Sequence, residues 1–305
     1  MSSTRLIVNA DDCGMSPGIS DAILLAHLDG FLTSTSLIVN MSGSEKALEQ
    51  VATASRLSVG IHLNICQGRP ISSARDIPTL VDSSGAFHPP AMMIRRLWRW
   101  RVSTRDLERE FRAQIRWMKM RGLEPTHADS HHHMHIYPAA ATAFVRALSA
   151  EGVRCVRTAR CSSWPKARGL GGPHEGGIIR RVFVDGYRRV LQNTLLRKFH
   201  SANTRVSLPQ QARRDPANLK SHWMATFENL PEGTFEFACH PGRPEHGFSE
   251  TDAIHLQREQ ELRLLLDAGI RKAISQTGIR LISYRELVAE RQLFKLGGDH
   301  VCKVA

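Results

Sequence analysis

A chain of 305 residues, 42% hydrophobic and 23% charged, can bury a sizeable core, which excludes a disordered or low-complexity protein. No apolar run approaches the roughly 20 residues that cross a bilayer, and Met1 runs almost at once into strand-like RLIVNA with no room for a secretory signal, so a soluble, cytoplasmic, single-domain protein is expected. The formal charge of +12 is uneven: residues 95–121 hold ten Lys+Arg against three Asp+Glu, and residues 154–214 hold fourteen against two. Such a basic surface suits nucleic acid, anionic lipid or an acidic substrate, and equally a set of solvated helices.

In chain order, short apolar, β-branched runs predict strands at RLIVNA (5–10), STSLIVN (34–40), LSVGIHLN (57–64), EPTHADSH (124–131), VRCVRTA (153–159), FEFACH (235–240) and RLISY (280–284). Helical patterns lie between them: ISDAILLAHLDG, the 45–55 segment, TRDLEREFRAQIRWMKMRG, PAAATAFVRALSAEG, and one long helix beginning at SETD and ending in QTG. Strands alternating with helices argue for parallel βαβ units, and seven of them suit an irregular seven-stranded β/α barrel, with an open doubly wound sheet as the alternative. Residues 65–103, ending in MMIRRLWRWRV, and residues 160–234, rich in Arg, Gly and Pro, break the rhythm and read as insertions over the barrel mouth. The six cysteines form no C-x-x-C pair, which argues against a zinc ribbon or a redox motif. Cys13 and Cys239 adjoin the motifs below and are candidates to line a pocket.

A parallel barrel places reactive side chains at the carboxyl ends of its strands. The first strand runs into Asp11 and Asp12; LSVGIHLN carries His62, EPTHADSH carries Asp129 and His131, and FEFACHPGRP ends at His240. Strand alternation puts His127, Asp129 and His131 on one face. Asp12, His62 and His131 would offer a divalent metal one carboxylate and two imidazoles with positions left open, a catalytic rather than a closed structural set. Asp11 can then serve as base, and Asp129 and His127 can orient neighbouring groups. Taken singly, Asp-Asp-x-Gly reads as a turn, His62 as a satisfied strand histidine and Cys-His-Pro-Gly as another turn. Their joint occurrence at four strand ends favours a metal-dependent active site.

The stretches NADDCGMSPGISDAI, TSTSLIVN, VGIHLNICQGRPI, PTHADSHHHMHIYP and CHPG, in this order, resemble the YdjC-like carbohydrate deacetylases, over about residues 5–158 and 235–290. The resemblance implies a polysaccharide-deacetylase-like irregular barrel, with Asp12, His62 and His131 on one divalent metal ion, Asp11 as catalytic base and His240 as general acid. Beside them, His127, Asp129, His133 and Arg243 are expected to support the ligands or contact the substrate. The resemblance implies magnesium, while the ligand set also accepts zinc. The expected substrate is an N-acetylglucosamine-type sugar, as a chitooligosaccharide or glycoconjugate, losing its acetyl group to water. DSHHH sets the chain nearer the sugar-oligomer branch than the one linked to hopanoid biosynthesis, and a homodimer is suggested by the family. Cys13 stands where the family has an aromatic residue. Two other readings remain: a deacetylase of a lipid-linked, hopanoid-type amino sugar, with MMIRRLWRWRV as a peripheral membrane contact, and a basic nucleic-acid-binding protein. The last lacks any helix-turn-helix, zinc-finger or RNA-binding signature.

Overall fold

The computed structural model describes residues 4–163, 178–207, 218–243 and 254–290. Its centre is β1 (Thr4–Cys13), an apolar run bounded by the turn that starts α1 (Pro17–Leu28), whose Ser16 cap accepts from the Ile19 N–H. Parallel strands β2 (Ser34–Leu37), β3 (Ser58–Leu63) and β4 (Ala128–Ser130) follow on one side. On the other lie β7 (Gly233–Cys239), β6 (Thr204–Ser207) and β5 (Cys161–Ser163), and the short β8 (Arg280–Leu281) pairs with the start of β1. Parallel bridges Ala128↔Val156 and Cys155↔His200 join β4 to the segments that lead into β5 and β6, so the seven-strand order curls back on itself as an irregular barrel.

Connecting helices α2 (Ser44–Thr53), α3 (Pro90–Trp98), α4 (Thr104–Met120), α5 (Pro138–Ala150), α6 (Ile178–Asn193), α7 (Leu219–Glu228), α8 (His255–Leu265) and α9 (Ala268–Gln276) complete the β/α pattern. The expected long C-terminal helix is two helices: the chain breaks at Asp267, whose side chain accepts from the Ile270 N–H and starts α9 afresh. Its SETD entry lies outside the described residues.

The 160–234 stretch does more than elaborate the mouth. It supplies β5, β6, α6 and α7, and buries Leu191, Leu196, Phe199, Val206, Trp223 and Phe227. The four-residue β6 was not expected, because an Arg-bearing TRVS carries almost no strand signal of its own. Conversely, the strand expected at 153–159 makes only two bridges before the regular ladder begins at Cys161. Residues 65–103 are tied onto α4 by Glu110, which accepts from the Ile71 and Ser72 N–H groups, and by Asp106, which accepts from Thr79.

Alternation along the strands divides the molecule. From β1, Leu6, Val8 and Ala10 face the main core against the helices, while Ile7, Asn9 and Asp11 face the barrel axis. On β7, Phe235 and Phe237 point outward, with the Phe237 ring centroid 4.7 Å from Trp223, and Glu236 points in. At its amino end the interior is closed by Ile7, Cys155, Ile282, Tyr284 and Leu287, with the Tyr284 and Arg285 N–H groups donating to Ser34 and Ser58 at the starts of β2 and β3. Above this plug the axis is polar, where most such barrels carry branched aliphatic layers.

Candidate active site

The polar axis is built in tiers. His127 stacks on Tyr284 with centroids 3.8 Å apart, and its Nε2 lies 3.1 Å from Ser36 Oγ. Gly60 makes room for it, since a Cβ there would stand 2.4 Å from the imidazole. Ser36 donates to Asp129 at 3.0 Å, and Asn9 donates to both Ser36 and Asp11. Through the centre runs Arg157, 1% exposed, whose guanidinium reaches Asp11 with two N–H groups, Asp129 at 2.7 Å and Glu236 at 2.7 Å. Three buried carboxylates thus share one buried cation. Burial opposes their charge, yet Arg157 holds the Asp11 and Asp129 carboxyls below their usual range; at Glu236 burial prevails and its pKa is raised.

At the mouth, the β1–β2 register advances three residues on β1, Ala10 to Cys13, against two on β2, Thr35 to Leu37. The extra residue is a β-bulge, with Asp12 in the left-handed region at φ 68°. In a regular strand adjacent carboxylates would point to opposite faces; the bulge turns both toward the mouth. Gly14 follows at φ +87°, where a Cβ would stand 2.5 Å from Ile38 O, so only glycine fits the turn.

Asp12 Oδ1 lies 3.0 Å from His131 Nδ1 and 3.5 Å from His62 Nε2, and one ligand atom from each of the three falls within 4.8 Å of the others. His62 Nδ1 is 2.6 Å from Asp129 Oδ1, which leaves Nε2 facing Asp12. Two imidazole nitrogens and a carboxylate oxygen, with an orienting carboxylate behind one imidazole, fit a divalent cation. Burial disfavours a charged His62, but Asp129 and Asp12 outweigh it and raise its pKa to about 10, so a cation there must displace a proton. Burial likewise opposes ionisation of Asp12, and His131 and Arg258 overcome it, holding the carboxyl well below its usual value.

The histidine run separates into distinct environments because His132 and His133 both adopt left-handed φ, 51° and 53°. His131 enters the cluster, His132 is exposed, His133 Nε2 lies 2.6 Å from Arg205 Nη1, and His135 packs on Phe144 and bonds to Ser130. His240 Nε2 stands 3.8 Å from Asp11 Oδ2, and its side chain is 23% exposed. Burial lowers its pKa against the pull of Asp11 and Asp12. Arg243 is exposed, and its backbone N–H donates to Gly18 O. Cys13 and Cys239 are buried, and burial pushes the Cys13 thiol up to about 12, so both act as packing groups.

Sequence reasoning brought forward Asp11, Asp12, His62, Asp129, His131 and His240, and these do meet at one mouth. It missed Arg157, Glu236, Ser36 and Asn9 on the axis, and the contribution of α8. There Arg258 donates to Asp12 Oδ2 at 2.8 Å, and Glu261 accepts from the His240 N–H at 2.5 Å. The available signal was a charged residue inside an apolar strand, Arg157 in VRCVRTA and Glu236 in FEFAC, which when buried must find a partner.

A parallel β/α barrel that gathers carboxylates and imidazoles in metal-ligand spacing at its strand ends is the framework of an enzyme site. The chain belongs to the YdjC-like protein family, whose model matches residues 5–276. Over 286 residues it is 31% identical to the carbohydrate deacetylase of Geobacillus stearothermophilus, covering 92% of this chain and 96% of that one. It is 31% identical over 305 residues to the carbohydrate deacetylase of Homo sapiens, covering 94% and 92%. Among solved structures it is similar in fold to an Enterococcus faecalis V583 protein described as a cellobiose-phosphate cleavage protein, with a TM-score of 0.71 and 22% identity over 93% of this chain and 98% of that one.

Proposed function

We propose that the protein is a metal-dependent carbohydrate deacetylase that hydrolyses the N-acetyl group of an N-acetylglucosamine-type sugar. The observation that carries this reading is the convergence of the Asp12, His62 and His131 donor atoms beside the Asp11–His240 pair at the barrel mouth. The names of its relatives supply the reaction class.

Asp12, His62 and His131 would hold one divalent cation, magnesium or zinc, which when bound polarises an acetamide carbonyl and acidifies water. Asp129 fixes the His62 ring through Nδ1, and Arg258 pins the far oxygen of Asp12, so the ligand set is oriented before substrate arrives. Asp11 is ionised and held by Arg157 and Asn9. It takes the proton of the attacking water. His240 stands across from Asp11 and, once the proton taken by Asp11 has passed to it, protonates the departing amine, which leaves poorly as an anion. Acetate and a free amino sugar result. His127 acts from beneath, keeping Ser36 and Asp129 in place, while His133 is engaged with Arg205, away from the reacting atoms. The test is acetate release from N,N′-diacetylchitobiose and from N-acetylglucosamine conjugates. Release should stop with chelator and return on adding back magnesium or zinc; release that ignores chelation excludes a metal role.

One observation favours a second reading, contact with an anionic lipid surface. Trp98 and Trp100 are 62% and 74% exposed among Arg95, Arg96, Arg99 and Arg101, and Trp100 takes the left-handed position after α3 where glycine is usual. Trp98 meets Tyr137, two positions beyond the last residue of the histidine run, so bound lipid would lie near the mouth. Among the described residues no helix is long and apolar enough to cross a membrane. Co-sedimentation with anionic vesicles, lost in Trp98→Ala/Trp100→Ala, supports this contact; no co-sedimentation removes it.

A further inference from the structure

Beside the Asp12–His62–His131 cluster lies a second group of potential ligands with a different chemistry. Cys66, His131 and His132 each present a ligand atom within 4.8 Å of the other two. Cys66 follows the strand that carries His62 and is buried. His132 is exposed, with its ring centroid 4.3 Å from that of His131. His131 belongs to both groups, so one imidazole is shared between two candidate sites. Its Nδ1 lies 3.0 Å from Asp12 Oδ1, while Nε2 lies 3.2 Å from Gln67 Oε1, on the residue next to Cys66.

We propose that Cys66, His131 and His132 form a soft-metal site that takes a thiophilic divalent cation such as zinc or cadmium, and that filling it draws His131 away from Asp12 and His62. One sulfur and two imidazoles select such ions, whereas the neighbouring cluster, with a carboxylate in place of the sulfur, also accepts harder ones. Tetrahedral bonding to one cation requires ligand atoms about 3.4–3.6 Å apart, a contraction that calls on rotation of the exposed His132 side chain and of the His131 ring toward Cys66. Water or Gln67 Oε1 can complete the shell. Binding is a simple exchange: the metal–sulfur bond forms as the thiol proton leaves to solvent, with no change of oxidation state.

The third group of possible ligands, Asp11, His62 and Asp129, carries no such inference because Arg157 already holds both carboxylates. Binding at Cys66 stands apart from the reaction assigned above; the inhibitory consequence rests on it.

Titration with Co2+ tests the binding. Wild-type protein should develop the near-ultraviolet thiolate-to-cobalt charge-transfer absorption. Cys66→Ser should lose it while keeping its melting temperature, and His62→Ala, which disables only the neighbouring cluster, should retain it. Removal of an exposed ligand in His132→Ala should shift the titration midpoint at least tenfold. This variant decides the matter if Cys66→Ser fails to fold. Absence of the absorption in wild type, or its full persistence in Cys66→Ser, overturns the site. In the acetate-release assay with magnesium present, cadmium should inhibit wild type at least tenfold more potently than Cys66→Ser. Equal inhibition of the two, with the absorption lost in Cys66→Ser, overturns the coupling to His131 while leaving the site.

Discussion

Replacing Arg157 with methionine removes the guanidinium that Asp11, Asp129 and Glu236 share and leaves these carboxylates facing each other in the interior. Breaking a buried ion pair by deleting one partner typically costs about 3–5 kcal/mol, and here the deletion orphans three carboxylates that are each at most 2% exposed. With about 2 °C lost per kcal/mol in a chain of this size, the melting temperature should fall by about 6–10 °C. The pH dependence identifies the cause. In the wild type, the Asp11 and Asp129 carboxyls lie below their usual value of 3.8, so the stability they contribute is present above that value and is lost only as pH falls through the lower folded values. Without Arg157, burial loses its main opponent at Asp11, Asp129 and Glu236, and all three carboxyls shift upward. The variant therefore suffers most near pH 8 and recovers toward wild type as the medium is acidified to pH 5. Glu236→Gln in the same background should restore part of the loss at pH 8. Calorimetric melts of wild type, Arg157→Met and the double variant over this range measure the effect. A single variant within about 1 kcal/mol of wild type, or a deficit that does not change with pH, would refute the shared-cation account.

Three further outcomes follow from the same geometry. Gly60→Ala drives a Cβ into His127, which cannot retreat from Tyr284; overpacking of this kind costs about 1–3 kcal/mol, to be read in a denaturant melt. Asp129→Asn removes the charged acceptor behind His62 Nδ1, and metal affinity by competitive chelator titration should weaken about 10–100-fold. Glu110→Ala strands the Ile71 and Ser72 N–H groups and loosens the segment around them from α4, with the Asp106–Thr79 tie left in place. Faster hydrogen exchange in that segment, with β1 and β7 unchanged, is the expected signature.

Much of the mouth was legible in the sequence because each ligand is announced locally: Asp12, His62 and His240 stand where an apolar strand run ends, and His131 closes the polar strand that carries Asp129. The axis beneath was not. Arg157 meets Asp11 across 146 positions and Arg258 meets Asp12 across 246; a charge inside an apolar run says that a partner is required, not which one. The bulge that turns Asp11 and Asp12 together depends on the register against β2, which no pattern within β1 reveals. Strand count was legible where runs are long. It failed at β6, whose four residues owe their conformation to β5 and β7 on either side. The continuous helical pattern from 254 to 276 hid a break because Asp267 caps a new helix without interrupting the apolar spacing.

The most direct test of the central claim measures acetate release and bound metal on the same samples of wild type and Asp11→Asn, with N,N′-diacetylchitobiose as substrate. The account predicts chelator-sensitive release by the wild type, and a variant that keeps its metal but loses at least about 10²-fold in rate. Release from Asp11→Asn at the wild-type rate, or no release from any N-acetylated sugar by metal-loaded wild type, would contradict it.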